Sequence, residues 1–230
     1  MSEFVSSSLF FGAALSLAAF EAGTLLKKKL KLSLFNPLLV SIILVIIVLL
    51  VFHIDYQSYN TSAKYLSYLL TPATVCLAIP LYEQLEKLKE NWKAILAGIL
   101  SGIVSCILCV YAFSLLFGLT HEQYVTLLPK SITTAIGMDV STELGGITTI
   151  TVAVIIITGV FGNIVGEPLC RLFHITEPVA KGVGMGSSAH AIGTAKAMEM
   201  GEVEGAISSL SIAVTGLLTV VAASIAAGLY

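Results

Sequence analysis

The chain has 230 residues, 57% of them hydrophobic and 11% charged, with mean hydropathy +0.96 and a formal net charge of −2. An average soluble domain carries about 25% charged residues, so a water-soluble globular enzyme is excluded and an integral membrane protein is implied. The slightly negative balance also excludes nucleic acid and an anionic membrane surface as electrostatic partners.

The N-terminus, MSEFVSSSLFFGAAL, has an acid where a secretory signal carries basic residues, and no A-x-A site follows a short apolar core. The first helix is therefore expected to remain in the protein. It covers 9–26, blemished by Glu21. Further charge-poor stretches follow at 32–54, 65–82, 94–120, 144–166 and 205–230, each near or above the roughly 20 residues that cross the hydrocarbon core. The KKKLK run at 27–31 separates the first two, and short Lys/Arg-rich loops stay cytoplasmic, which puts the N-terminus outside. Loop alternation agrees: HIDYQSYNTSAK has one lysine and YEQLEKLKENWK has three. The expected fold is an all-α, polytopic membrane bundle of about seven segments, some of them broken or re-entrant.

Cys76, Cys106, Cys109 and Cys170 lie in or beside apolar segments. A zinc-type site normally needs four ligands, and Cys106-x-x-Cys109 has no second cluster, so these thiols read as small buried hydrophobes. Neither a metal nor a cofactor is expected. No Ser/His/Asp arrangement is visible, so no catalytic residue and no enzyme is expected either. Gly98-x3-Gly102 permits close helix contact, and a homo-oligomer stays open.

Residues 1–63 read as an N-terminal transmembrane hairpin and 64–230 as a transport core. Three segments of the core resemble one another. TPATVCLAIPLYEQLE holds Thr74, Ala78, Ile79, Pro80 and Glu86; PKSITTAIGMDVSTELGG holds Ser131, Ala135, Ile136, Gly137 and Glu143; GVGMGSSAHAIGTAKAMEMG holds Ser187, Ala191, Ile192, Gly193 and Glu199. All fit [ST]-x3-A-I-[PG]-x5-E, 57 and then 56 residues apart, and an apolar span follows each. This order suggests three units, at 64–120, 128–166 and 182–230, each a broken element plus a full helix. Units that cross an odd number of times alternate in orientation, and inverted repeats with broken helices are a secondary-transporter architecture.

GVGMGSSAH is no nucleotide loop, because a dinucleotide fingerprint needs a βαβ unit and a P-loop needs Gly-Lys-Ser/Thr. Its glycines suit close approach to a ligand, and Ser187 or Ser188 is expected to cap a helix whose start favours an anion. Ser187, His190 and Thr194 would then share a face. His190 has two readings: contact with a substrate carboxylate or a proton, or a bridge between helices. Lys181 and Lys196 either attract anions or extend to an interface. In the second copy Ser131, Thr133 and Thr134 precede a helix in the same way after Pro129, and in the first Pro72 and Pro80 break it after Thr74. Asp139, Glu143 and Glu199 are candidates for proton or ion coupling, or are simply acids at the aqueous interface.

LLTPATVCLAIPLYEQLEKLK, LLPKSITTAIGMDVSTELGGITTIT, ITGVFGNIVGEPLCRLF, the stretch from GMGSSAHAIGTAKAMEMGEVEG to TGLLT, and NPLLVSIILVII together resemble the LrgB/CidB family of bacterial membrane proteins. The resemblance covers nearly the whole chain; Ala135 and Gly137 depart from it, where the family more often shows proline and alanine. It implies a multi-pass protein of the bacterial cytoplasmic membrane with a small holin-like LrgA/CidA-type partner. It also implies two functions. One is antiholin-like modulation of murein hydrolase activity and cell lysis. The other, shared with the plastid glycolate/glycerate translocator, is transport of a small monocarboxylate such as pyruvate, glycolate or lactate. The recurring broken elements favour transport, with Thr74, Ser131, Thr133, Thr134, Ser187, His190 and Thr194 converging on a carboxylate anion.

Overall fold

The computed structural model describes residues 8, 10–30, 36–76 and 78–230, with the backbone alone for Leu70, Thr71, Thr74, Pro80 and Leu81. The described residues are helical throughout, with no strand among them. Two compact units form, Met1–Cys76 and Leu77–Tyr230.

The first unit contains α1 (Phe11–Leu30), α2 (Pro37–Val51), α3 (Tyr56–Ala63), a 3-10 segment (Lys64–Leu69) and α4 (Leu70–Cys76). Asn36 starts α2: its side-chain oxygen accepts from the amides of Leu38 at 2.8 Å and Leu39 at 3.3 Å, and Pro37 supplies the preset φ of a first helical position. Asp55 caps α3 through the Gln57 amide at 2.8 Å. The unit extends beyond residue 63 because α3 and the 3-10 segment pack on α1. The Gly12 amide donates to Ser62 Oγ at 2.6 Å, and Ser16 and Tyr59 share a 2.7 Å hydroxyl bond.

The second unit contains α5 (Ala78–Glu83), α6 (Leu85–Phe117), α7 (His121–Leu127), α8 (Thr134–Glu143), α9 (Thr148–Leu172), α10 (Pro178–Met200) and α11 (Glu202–Ala227). Among the described residues α6, α9 and α11 are long and apolar enough to cross a membrane. α6 starts ahead of the apolar run because EKLKENWK consists mostly of good helix formers, which carry the helix into water. It stops at Gly118, whose left-handed φ of 60° and ψ of 44° few other residues tolerate. Thr120 and Gln123 then form a reciprocal cap on α7.

α9 begins at Thr148 and not at 144, where the apolar run opens, since Gly145 (φ 78°) and Gly146 turn the chain first. Hydroxyls hold that turn. Thr126 Oγ1 accepts the Ile147 amide at 2.8 Å, and Thr151 Oγ1 lies 2.6 Å from Ser141 Oγ and 3.0 Å from the Thr126 carbonyl. Irregular backbone at membrane depth needs such internal partners.

Two apolar clusters organise the unit. Ile95, Ile99 and Ile103 of α6 meet Val179 and Val183 of α10 and Ile207 of α11. Tyr124, Val125, Leu128, Ile132 and Val140 meet Val110, Ala223 and Ala226. In the second, Tyr124 donates to the Ala226 carbonyl at 2.9 Å, and burial followed by the neighbouring Tyr111 pushes its phenol above the ordinary range.

Chain breaks recur at matching places. α8 begins at Thr134, and within α10 the one residue with non-helical angles is His190 (φ 42°, ψ −139°), so its second half restarts at Ala191. Counted from Ser131 and Ser187, the restart falls three and four residues on. The expected apolar stretch at 65–82 begins as the 3-10 segment, and its described residues 70–76 and 78–82 are helical.

Candidate functional site

The site is built on α10. At His190 the helix folds: the position of a Cβ on Gly193 would lie 2.5 Å from the Met185 carbonyl and 2.6 Å from Ala189 Cβ. Residues eight apart stand roughly 12 Å apart along a straight helix, so the second half of α10 turns back on the first. A non-glycine residue in this conformation costs on the order of 1–3 kcal/mol, and the surroundings enforce it. His190 is 3% exposed, its Nε2 donates to the Ile155 carbonyl of α9 at 3.0 Å, and Asn163 Nδ2 donates to the Ile192 carbonyl at 2.8 Å.

Glycines make the approach possible, and what they approach is protein. A Cβ on Gly159 of α9 would stand 2.5 Å from His190 Cε1, and one on Gly162 or Gly166 would strike Ala189 or Met185. On the opposite face a Cβ on Gly182 would lie 2.7 Å from the Glu204 carbonyl, and one on Gly186 would meet the Ser208 carbonyl and Ser211. Gly182 and Gly186 of GVGMG thus let α11 pack on α10, which corrects the sequence-based expectation for these two, while a Cβ on Gly184 would meet nothing within 4 Å.

Two other expectations change here. Ser187 and Ser188 lie inside the first half of α10, donating to the Val183 carbonyl at 2.6 Å and the Gly184 carbonyl at 2.5 Å, so neither caps a helix start. Ser187, His190 and Thr194 share no single helical face, because the fold at His190 separates Ser187 from Thr194. Thr194 instead shares a buried 2.6 Å hydroxyl bond with Ser208 of α11.

Ser187 and Ser131, the same position of two sequence copies, do come together. Both line a small cavity of about 10 Å³ with Gly102, Cys106, Leu128, Thr215 and Thr219. Cys106 Sγ is 3.6 Å from Ser131 Oγ, and Lys130 Nζ donates to that oxygen at 3.3 Å. Ser187 and Gly102 also line a groove of about 550 Å³ between α6 and α10, with Asn91, Ala94, Gly98, Val183 and Gly184. Gly102 and Ser187 therefore stand where groove and cavity adjoin. Thr133 and Thr134 are half-buried at the start of α8, with Thr133 as N-cap making no side-chain capping bond. The side chain of Thr74 is outside the described residues.

The acids stand elsewhere. Asp139 and Glu143 are exposed on α8. Lys196 binds Glu167 at 2.7 Å and the exposed Glu199 at 3.3 Å, and Arg171 binds Glu167 at 2.5 Å. Lys196 is thus already matched by carboxylates, and Lys181 lies 3.8 Å from the buried Glu204. A second recess of about 450 Å³ beside this charge network includes Cys170, Arg171, His174 and Lys181. No group of three metal-ligating side chains occurs among the described residues.

The sequence reading passed over Thr126, Ser141 and Thr151, which hold the α8–α9 turn, and Ser208, Thr215 and Thr219 on α11. A signal existed for the last group. Ser208, Ser211, Thr215 and Thr219 recur at helical spacing through an apolar helix and are all buried.

A helical membrane protein with broken helices and hydroxyls gathered at its packed interior is the class that this fold and site define. Within that class the chain belongs to the LrgB family: the LrgB-like family model matches residues 16–229. It is 40% identical over 213 residues to the antiholin-like protein LrgB of Bacillus mycoides (strain KBAB4), covering 92% of this chain and 93% of that one. Identity to the antiholin-like protein LrgB of Bacillus cereus (strain B4264) is 39%, with the same coverage. The same figures hold for the antiholin-like protein LrgB of Bacillus anthracis (strain CDC 684 / NRRL 3495). No solved structure matches the chain.

Proposed function

We propose that this LrgB-family chain carries a small monocarboxylate, pyruvate-, glycolate- or lactate-like, across the bacterial cytoplasmic membrane, and that it performs no enzymatic reaction. One observation carries the reading: Ser131 and Ser187, from two sequence copies, meet at one cavity beside the helix breaks. Broken helices next to a polar interior are how transporters build a site at membrane depth. The start of α8, with Thr133 and Thr134, would add free amides and the positive dipole end. His190 would serve indirectly, by fixing the fold of α10 through its bond to the Ile155 carbonyl. Thr74 and Thr194 would complete the substrate-binding set, and Asp139, Glu143 and Glu199 would be the coupling candidates at the aqueous ends.

The second reading is an antiholin-like modulator of murein hydrolase activity and cell lysis. The shared name of the relatives favours it over transport. The two readings combine if altered carboxylate flux is what changes lysis. Either one places the N-terminus outside, with the lipid bilayer and a small LrgA/CidA-like membrane protein as partners and self-association open.

Purified protein in liposomes, with and without such a partner, tests the choice. Uptake of radiolabelled pyruvate, glycolate or lactate under an imposed proton gradient supports transport. No uptake of any of the three, combined with altered murein hydrolase activity in cells, supports the antiholin-like reading. Leakage of a bulky dye would identify a pore and sink the carrier.

A further inference from the structure

Thr215 departs from its neighbours on α11. Ser209, Ser211 and Ser224 each donate to the carbonyl four residues back, at 2.8, 2.8 and 2.9 Å, which is the usual fate of a helical hydroxyl. Thr215 is 2% exposed and its Oγ1 has no hydrogen-bond partner among the described residues. It lines the cavity that Ser131 and Ser187 share. Buried hydroxyls are nearly always satisfied, and one left unpaired while facing a cavity is open to a water or to a ligand atom.

The chemistry of the lining selects the ligand. The Ser187 proton is committed to the Val183 carbonyl. Ser131 accepts from the Lys130 ammonium, and its own proton has only the weak acceptor Cys106 Sγ, 3.6 Å away, as a rival to an incoming oxygen. Thr215 and Ser131 are therefore donors, with a positive charge one bond behind Ser131, and such a set suits an anionic oxygen. A cavity of about 10 Å³ is near the lower limit for one water-sized atom. Whole pyruvate does not fit, whereas one carboxylate oxygen does. The adjoining groove of about 550 Å³ is lined mainly by Ala94, Gly98, Val179, Ala180 and Val183, and it suits an apolar tail.

We propose that Thr215 is a ligand-binding residue: with Ser131 it takes one oxygen of an aliphatic monocarboxylate in the cavity, while the tail lies in the α6–α10 groove past Gly102 and Ser187. This rests on the transport reading and assigns it a binding residue and an orientation of the substrate, head inward.

The test uses the full chain in detergent and in liposomes, with acetate, butyrate and hexanoate as probes of binding by thermal shift and pyruvate as the probe of uptake. Thr215→Val is close to isosteric and removes only an unpaired hydroxyl. It is expected to keep the ligand-free melting temperature at or above that of the wild type. It should raise the half-saturating acid concentration about tenfold, as loss of a hydrogen bond to a charged group does, and Thr215→Ser should retain wild-type values. Wild-type affinity should rise roughly fourfold per added methylene while the tail stays in the groove. Uptake and thermal shift unchanged in Thr215→Val would overturn the assignment and leave the transport reading standing, and so would a clearly lower ligand-free melting temperature. Affinity flat from acetate to hexanoate would overturn the tail orientation. No binding or uptake of any acid by the wild type would end both the assignment and the reading.

Discussion

Replacing Gly159 by alanine tests the packing that holds the fold in α10. The new Cβ would lie 2.5 Å from His190 Cε1, 2.8 Å from Nε2 and 2.9 Å from Ile192 Cδ1, and real Cβ contacts essentially never approach so closely. The imidazole must retreat, which costs about 1–3 kcal/mol of overpacking plus about 1 kcal/mol for the bond to the Ile155 carbonyl. The expected destabilisation is thus about 2–4 kcal/mol. For a chain of this size each kcal/mol lowers the melting temperature by roughly 2–4 °C, so scanning fluorimetry in detergent resolves the effect. His190→Gly supplies the control. It removes the ring and relieves the positive φ of 42°, so Gly159→Ala on that background meets only the tip of Ile192 and should cost less than half as much. Equal costs on the two backgrounds would refute the claim that Gly159 is glycine in order to seat His190.

Other substitutions probe separate parts of the molecule. Thr126→Val removes the acceptor of the partly buried Ile147 amide and is expected to cost about 1–2 kcal/mol, read as a lower melting temperature; an unchanged value would mean that the α8–α9 turn does not depend on this hydroxyl. Asn163→Leu should speed amide exchange in 190–196 selectively, since it frees the Ile192 carbonyl beside the fold; uniform exchange across α10 would argue otherwise. Lys196→Met leaves Glu167 with Arg171 as its ion-pair partner among the described residues. Both groups are partly exposed, so about 1 kcal/mol or less is expected, and a much larger loss of stability would show that this network is worth more than surface pairs usually are.

Composition alone was enough for the membrane class and the helical fold, because a chain with 11% charge and long apolar runs has no other stable environment. The [ST]-x3-A-I-[PG]-x5-E spacing fell within a residue of the helix starts at Thr134 and Ala191, since small and breaking residues register local backbone preference. Motif position also singled out Ser131 and Ser187 before their meeting at one cavity was visible.

What the tertiary structure alone decided is which neighbour each of those residues has. GVGMG reads locally as a loop for a ligand, but the carbonyls and side chains that Gly182 and Gly186 admit belong to α11. His190 looks poised for protons in sequence, while in space its ring is seated over Gly159 and bonded to Ile155, thirty-five residues away in the chain. Thr215 could not be distinguished from the other hydroxyls of an apolar helix, because its lack of a partner and its place beside Ser131 and Ser187 exist only once α6, α10 and α11 have packed. Backbone preference is local and so is written in the sequence. Hydrogen-bond satisfaction and close approach are relations between distant segments, and packing alone fixes them.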